Sequence, residues 1–288
     1  MKAFQKLIWP YGVWMIIFIF FPLLLIALYA FTSPGNLVVT FQFTLSNFAR
    51  FFDPVYIRIF MKSIYIAVIT TVFCLLIGYP LAYFISRKSE KVQVLLILLV
   101  TMPMWINMLI RTYAWISILA KNGILNNLLS ALNLPTIEIM YTDTAVLIGM
   151  VYAYLPFMIL SIYTQLSKMD DSLVQASFDL GANWRQTFTR VIFPLSLPGV
   201  ITGITLVFLP AVSSFVIPKL LGGGSYVLIG NLIENQFISI GDWNFGSAVS
   251  LIMTIVIIIS MFTTKKVDKN VEEASMTKTG GIKSYGGR

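Results

Sequence analysis

Long apolar runs separated by polar segments set the first reading of this chain, at roughly residues 8–31, 63–86, 92–120, 143–167, 191–218 and 245–264. A helix needs about 20 predominantly apolar residues to cross the hydrocarbon of a bilayer, and every run reaches that length. Lipid offers no partner to a free backbone group, so each run is expected to be helical. The pattern predicts an all-α membrane protein with six transmembrane helices. The first run follows Lys2 and Lys6 as a signal peptide would. Its apolar stretch of about 24 residues exceeds the roughly 7–15 of a signal core, so it reads as an uncleaved span. Residues 1–267 form the expected transmembrane domain. Residues 268–288 are polar, rich in Gly, Ser and Lys, and lack apolar periodicity, which reads as a disordered cytoplasmic tail.

Composition agrees and narrows the chemistry. Of 288 residues, 58% are hydrophobic and 11% charged, with a mean hydropathy of +0.84. A soluble core cannot absorb that much apolar surface at this length. Histidine is absent and Cys74 is the only cysteine, so disulfides, zinc clusters and histidine acid–base chemistry are excluded, and neither a catalytic set nor a metal site is expected. The net charge of +8 reports topology rather than nucleic acid, because the basic residues cluster between the apolar runs. One side carries Lys2, Lys6, Arg87, Lys88, Lys91, Lys168, Arg185, Arg190 and the basic residues of the tail; the other carries Arg50, Arg58, Lys62, Arg111, Lys121 and Lys219. The positive-inside rule then puts both termini and the 168–190 segment in the cytoplasm, with outer loops at about 34–62, 121–142 and 219–244.

Pro22, Pro80, Pro103, Pro156 and Pro210 each fall in a different span. A proline removes one backbone hydrogen bond and displaces the carbonyl four residues earlier. Such breaks mark either ordinary kinks in a packed bundle or backbone that lines a wet cavity.

The inner segment between the fourth and fifth spans is long, polar and patterned for helix. Asp170 or Asp171 can cap a short helix whose Leu173, Ala176, Ser177 and Leu180 share a face, and Gly181 can end it in the left-handed conformation. Asn183 followed by Gln186 has the form of a capping box that starts a second helix, running through Phe188 and Val191 toward the prolines of the fifth span. A helix–glycine–helix on the cytoplasmic face offers a small-residue surface that a soluble partner can grip.

This segment, 170–194, resembles the EAA loop of ABC-importer permeases. The positions read Gln175-Ala176-Ser177, then Gly181, then Val191-Ile192-Phe193-Pro194, with the family's spacing throughout and with Ala176, Gly181 and Pro194 retained. The resemblance implies the type I importer permease fold, with the loop serving as the coupling-helix hairpin that docks on an ATPase subunit through Gln175, Ala176, Ser177, Asp179 and Gly181. Gln175 replaces the family's glutamate, and Asp179, four residues on and on the same face, is the expected remaining acidic contact. Over about residues 7–266 the chain is most similar to the permeases of spermidine/putrescine systems, in stretches such as PMWINMLIRTYAWISIL (103–119) and LVFLPAVSSFVIPKLLGGG (206–224). That similarity implies half of a polyamine pathway through the bacterial inner membrane, a second related permease, an ATPase pair and an extracytoplasmic binding protein. ATP and magnesium would belong to the ATPase, and this chain would bind no cofactor.

A polyamine needs carbonyls, carboxylates or aromatic faces along its route. Trp105, Asn107, Tyr113 and Trp115 in the third span, with Ser213, Ser214 and Phe215 in the fifth, are the pathway candidates. Aromatics also form interfacial belts and packing contacts. No acid lies deep in a span, so Asp53, Glu138, Asp143, Glu234 and Asp242 on the outer side are left to guide a cation, dock a binding protein, or simply cap and solvate loops. Arg111, inside the third run, is expected to be structural, paired with Asp143 or with carbonyls near the outer end. The alternatives are an importer for an anion or a metal complex, an ATP-independent channel or secondary carrier, and a membrane-embedded enzyme. The scarcity of intramembrane charge argues against a carrier, and the lack of a catalytic set argues against an enzyme.

Overall fold

Hydrogen-bond accounting in an apolar chain leaves helix as the main solution, and the computed structural model, which describes residues 10–33, 42–224 and 226–283, is almost wholly helical. In chain order the first helices are α1 (Pro10–Ala30), α2 (Ser46–Phe51), α3 (Pro54–Ser86), α4 (Glu90–Thr101), α5 (Met108–Leu119) and α6 (Ile124–Ala131). They are followed by α7 (Asp143–Leu166), α8 (Asp171–Asp179), α9 (Trp184–Ser213), α10 (Val216–Leu221), α11 (Ile229–Glu234) and α12 (Trp243–Lys283). Among the described residues α1, α3, α7, α9 and the Trp243–Lys266 part of α12 are long and apolar enough to cross a membrane, and a bent pair of helices supplies a sixth crossing if it is one span. The expected start of the first span at residue 8, with Lys2 and Lys6, lies outside the described residues, as does the end of the tail, 284–288.

The core is a three-helix contact of α3, α7 and α9, around Ile66, Met150, Met158, Ile159, Ile162 and Val207, all nearly or fully buried. Small residues let these helices approach closely: a Cβ on Gly203 would lie 2.6 Å from Met158 Sδ, and one on Gly199 would lie 2.8 Å from the Ser161 carbonyl oxygen. α1 packs along α12 through its second half rather than on this core, and most of its apolar side chains stay exposed as a surface for lipid or another helix. Its end is held by two asparagines. Asn47 Nδ2 donates to the Ala30 and Thr32 carbonyls at 3.0 and 2.9 Å, and Asn244 Nδ2 donates to those of Tyr29 and Thr32 at 3.0 and 2.8 Å.

Several boundaries differ from the sequence expectation, each for a local reason. The third span, 92–120, in which Pro103 was expected to mark a kink or a break, is broken, and its limbs Glu90–Trp105 and Met108–Ala131 meet at 94°. Pro103 sits in a single 3₁₀ turn, Ile106 is extended, and Asn107 restarts the helix by accepting from Leu109 N at 2.8 Å. The second span begins nine residues early, because Asp53 caps it and Pro54 suits its first turn. Its 33 residues are about 50 Å long and overshoot the bilayer core. The fifth begins at Trp184 and ends at Ser213 rather than near 218, where Ser214 turns extended and Asn231 Nδ2 donates to the Phe215 carbonyl at 2.7 Å. In α12 the backbone stays helical to Lys283, where an irregular tail was expected from 268; helix formers such as Lys269, Glu272 and Glu273 continue the hydrogen bonding of the span above. Two π-turns, Ile16–Phe20 and Phe188–Ile192, lie just before Pro22 and Pro194, where a wider turn accommodates the proline ring.

Candidate functional site

The hairpin of α8 and the start of α9, expected on the cytoplasmic side, is built from caps. Asp170 accepts from Ser172 N at 2.9 Å and opens α8; this backbone hydrogen bond holds the Asp170 carboxyl below its ordinary range. The helix closes in a complete Schellman motif, with Gly181 at φ +80, Gly181 N donating to the Phe178 carbonyl at 2.8 Å and Ala182 N to that of Ser177 at 3.0 Å. Asn183 and Gln186 then form the reciprocal capping box, both bonds at 2.9 Å, and α9 runs from there into the membrane.

The hairpin is fixed to the bundle on one side. Ser177 is buried and its Oγ lies 2.9 Å from Thr187 Oγ1, locking the two arms together. It therefore faces the opposite arm rather than sharing an outward face with Leu173, Ala176 and Leu180 as the periodicity suggested. Trp184 stacks on Phe178 and, with Phe188, packs on Tyr83, while Phe188 also meets Tyr79. Arg87, just past α3, pairs with Asp171. The hairpin is thus tied by rings and one ion pair to the second span. Its other side presents Gln175, Asp179, Ala176, Leu173 and Leu180, all exposed, with Leu180 at 89%. Exposed leucines flanked by a carboxylate and an amide make an arc suited to a protein partner. Phe178 and Trp184 escaped the sequence reading; a tryptophan directly after an N-cap was the available signal.

The pathway candidates separate into two places. Trp105 and Asn107 stand at the bend of the third run, Trp105 at 77% exposure, and Tyr113 is exposed on α5. Trp115 instead packs edge-on against Tyr152 at 5.3 Å and meets Ile217 and Leu221 of α10 in a narrow crevice. At the break after α9, Ser214 is buried, whereas Ser213 and Phe215 line an open hollow of about 400 Å³ together with Ile229, Phe237 and Glu234. Trp105 and Tyr113 do not line that hollow.

Each outer acid has a partner. Asp53 caps α3, accepting from Val55 N at 2.9 Å. Asp242 pairs with Arg50 at 2.7 Å, Asp143 with Lys62 at 3.0 Å, Glu138 with Lys121 at 2.7 Å and Glu234 with Lys219 at 2.7 Å. Arg111, expected to pair with Asp143 or with carbonyls near the outer end, does not pair with Asp143, which Lys62 holds; it lies in the α5–α10 crevice with buried Nε and Nη1 that have no hydrogen-bond partner, carbonyl or other, among the described residues. Lys62, Lys121 and Lys219 reach these acids across 15 or more residues of chain, a pairing that no local pattern encodes.

A helical bundle with a capped hairpin between two of its long apolar helices, α7 and α9, is also the fold of known importer chains. The chain aligns with a chain of a bacterial alginate ABC transporter, crystallised in complex with an alginate-bound periplasmic protein, at a TM-score of 0.78, over 94% of this chain and 95% of that one, at 15% identity. A chain of the MetNI methionine ABC transporter aligns at a TM-score of 0.57, over 75% and 95%, at 17% identity. At such identities the likeness is one of fold, that of the type I ABC importer permeases.

Residues 63–273 match the family described as binding-protein-dependent transport system inner membrane component, and the chain belongs to it. It is 43% identical over 246 residues to the spermidine/putrescine transport system permease protein PotB of Escherichia coli strain K12, covering 84% of this chain and 90% of that protein. To PotB of Haemophilus influenzae it is 41% identical over 259 residues, covering 89% and 91%. The family resemblance seen in the 170–194 loop holds over most of the chain.

Proposed function

We propose that this chain forms half of the translocation pathway of an ATP-driven polyamine importer in the bacterial inner membrane. The observation that carries the cargo is the identity of 43% with spermidine/putrescine permeases across 84% of the chain. A second permease completes the pathway, an extracytoplasmic binding protein delivers substrate, and a pair of ATPases binds ATP and magnesium. No cofactor resides on this chain. The basic residues favour cytoplasmic termini and a cytoplasmic hairpin.

The outward arc of α8 supports docking of the ATPase, with Gln175, Ala176 and Asp179 at the contact and Gly181 shaping it. Ser177 contributes from inside, through Thr187. Movement of a docked hairpin is passed on by rigid contacts, namely the Trp184–Phe188–Tyr83 rings and the Arg87–Asp171 pair, so it reaches α3 and α9 directly. These helices pack on α7 in the core, which lets a small displacement at the surface tilt the bundle between two packed arrangements.

Reconstitution of the four kinds of subunit in proteoliposomes tests the reading. ATP-dependent uptake of labelled spermidine, with no uptake of sulfate, is expected. ATP-dependent sulfate uptake without spermidine uptake would replace the cargo while leaving the importer class intact.

A further inference from the structure

Among the outer carboxylates one is placed unlike the others. Glu234, at the end of α11, has 18% of its side chain exposed, the least of the four that pair with Lys or Arg. Its Oε1 accepts from Lys219 Nζ at 2.7 Å, while its Oε2 is enclosed and has no hydrogen-bond partner among the described residues. Asp242, the next most enclosed, spends both oxygens, one on Arg50 and one on Phe245 N. A buried carboxylate oxygen without a donor is costly, so the Glu234 site has acceptor capacity that Lys219 alone leaves unfilled. It also borders the hollow of about 400 Å³ walled by Ser213, Phe215 and Phe237. Such a set of groups, a carboxylate, a hydroxyl and aromatic rings, suits an alkylammonium. The ammonium in place is the protein's own, on a four-carbon stem whose side chain is half exposed.

We propose that Lys219 is a displaceable stand-in for the cargo, and that Glu234 is a subsite for one ammonium of a passing polyamine. The inference rests on the polyamine reading above and adds the residue that receives the cation. Substrate ammonium takes the place of Lys219 Nζ on the carboxylate, its methylenes lie against Phe215 and Phe237, and Lys219 swings into water. The exchange swaps one cation for another, so the carboxylate is never left bare. That removes the large penalty of an uncompensated buried charge at each step of passage.

The experiment measures uptake of labelled spermidine by the assembled complex in proteoliposomes, with loaded binding protein at saturation and with subunit stoichiometry and ATPase rate recorded for each variant. Glu234→Gln is expected to lower the uptake rate about tenfold, the weight of one charge-assisted hydrogen bond. Lys219→Met keeps the carboxylate but removes both its competitor and its resting counter-ion, two effects of opposite sign, so its loss of uptake is expected to be at least about threefold smaller than that of Glu234→Gln. The double variant follows Glu234→Gln. A pair that only braces the outer loop predicts the same loss from either single variant; equal losses, or full uptake in Glu234→Gln, overturn the proposal. Should the unmodified complex take up no spermidine, it is the cargo assignment that fails.

Discussion

The hairpin and the third apolar run are each interrupted and then restarted by an asparagine cap, at Gly181 and Asn183 in one and at Pro103 and Asn107 in the other, with different geometric results. In the hairpin Asp170, Gly181, Asn183 and Gln186 each act where the sequence placed them, because water surrounds the segment and each helix end has one local way to satisfy its backbone. In the run 92–120 the same devices occur, a proline at 103 and an N-capping asparagine at 107, yet a proline within a span reads equally as an ordinary kink. The limbs instead meet at 94°. An apolar run long enough to span is evidence of helix, but it is silent on whether that helix is continuous.

The largest effect expected from breaking this contrast lies on the hairpin's outward arc. Ala176→Arg puts a long charged side chain where a partner's surface must close, and co-purification of the ATPase should fall at least tenfold, with the permease pair still assembled. Because Ala176 is exposed in the chain itself, circular dichroism of the variant is expected to be unchanged. Undiminished co-purification together with normal stimulation of ATPase activity would remove the docking assignment.

Gly181→Val comes next. At φ +80 a β-branched residue is strained, by about 1–2 kcal/mol, although no neighbour stands within 4 Å to clash. The expected result is a hairpin whose second turn frays, seen as faster hydrogen exchange at Ala182 and Gly181, with coupling of ATP hydrolysis to uptake reduced severalfold. Gly181→Asn, which tolerates the left-handed region, should lie between the two.

The contrast explains how much was legible. The helical class, the apolar spans and the caps at Asp170, Gly181 and Asn183 are legible because they depend on counts and on contacts within four residues. The positions of Trp105, Tyr113 and Trp115 did not, since a bend of 94° sends Trp115 against Tyr152 and leaves Trp105 exposed. Periodicity on a straight rod would have placed all three on one helix. Pairings such as Lys219 with Glu234, fifteen residues apart across a break, likewise need the fold before they can be seen. Arg111 shows the same limit: its expected partner Asp143 was near enough in topology, but Lys62 reaches it from α3.

Asn107→Leu sharpens the comparison by removing the restart signal of the third run while keeping its apolar character. Loss of the cap is expected to cost about 1 kcal/mol and to speed amide exchange at Leu109 about fivefold, since the side chain accepts from that amide at 2.8 Å. Slower exchange from Ile106 to Leu109 would mean that the bend had closed into a continuous rod, and that Asn107 rather than Pro103 sets the break. Hairpin amides serve as the internal control and should not change.

The smallest effect is expected just beyond that run, where Lys121 and Glu138 pair at 2.7 Å with both side chains largely exposed. Hydrogen bonding to Lys121 holds the Glu138 carboxyl below its ordinary range, and the same bond holds the Lys121 ammonium above its own. The sign follows for each partner. The carboxylate's contribution exists above the usual carboxylate pKa and fades as pH falls through the lowered value, while the ammonium's fades only as pH climbs through its raised one. Between these limits the pair is intact, yet exposure and salt screen it. Lys121→Ala should therefore leave thermal stability unchanged from pH 5 to pH 8, in low and moderate salt alike. A drop that disappears on raising the salt would show that this loop, unlike the capped hairpin, depends on charge for its shape, and would move the outer end of the third run from a passive connection to a braced one.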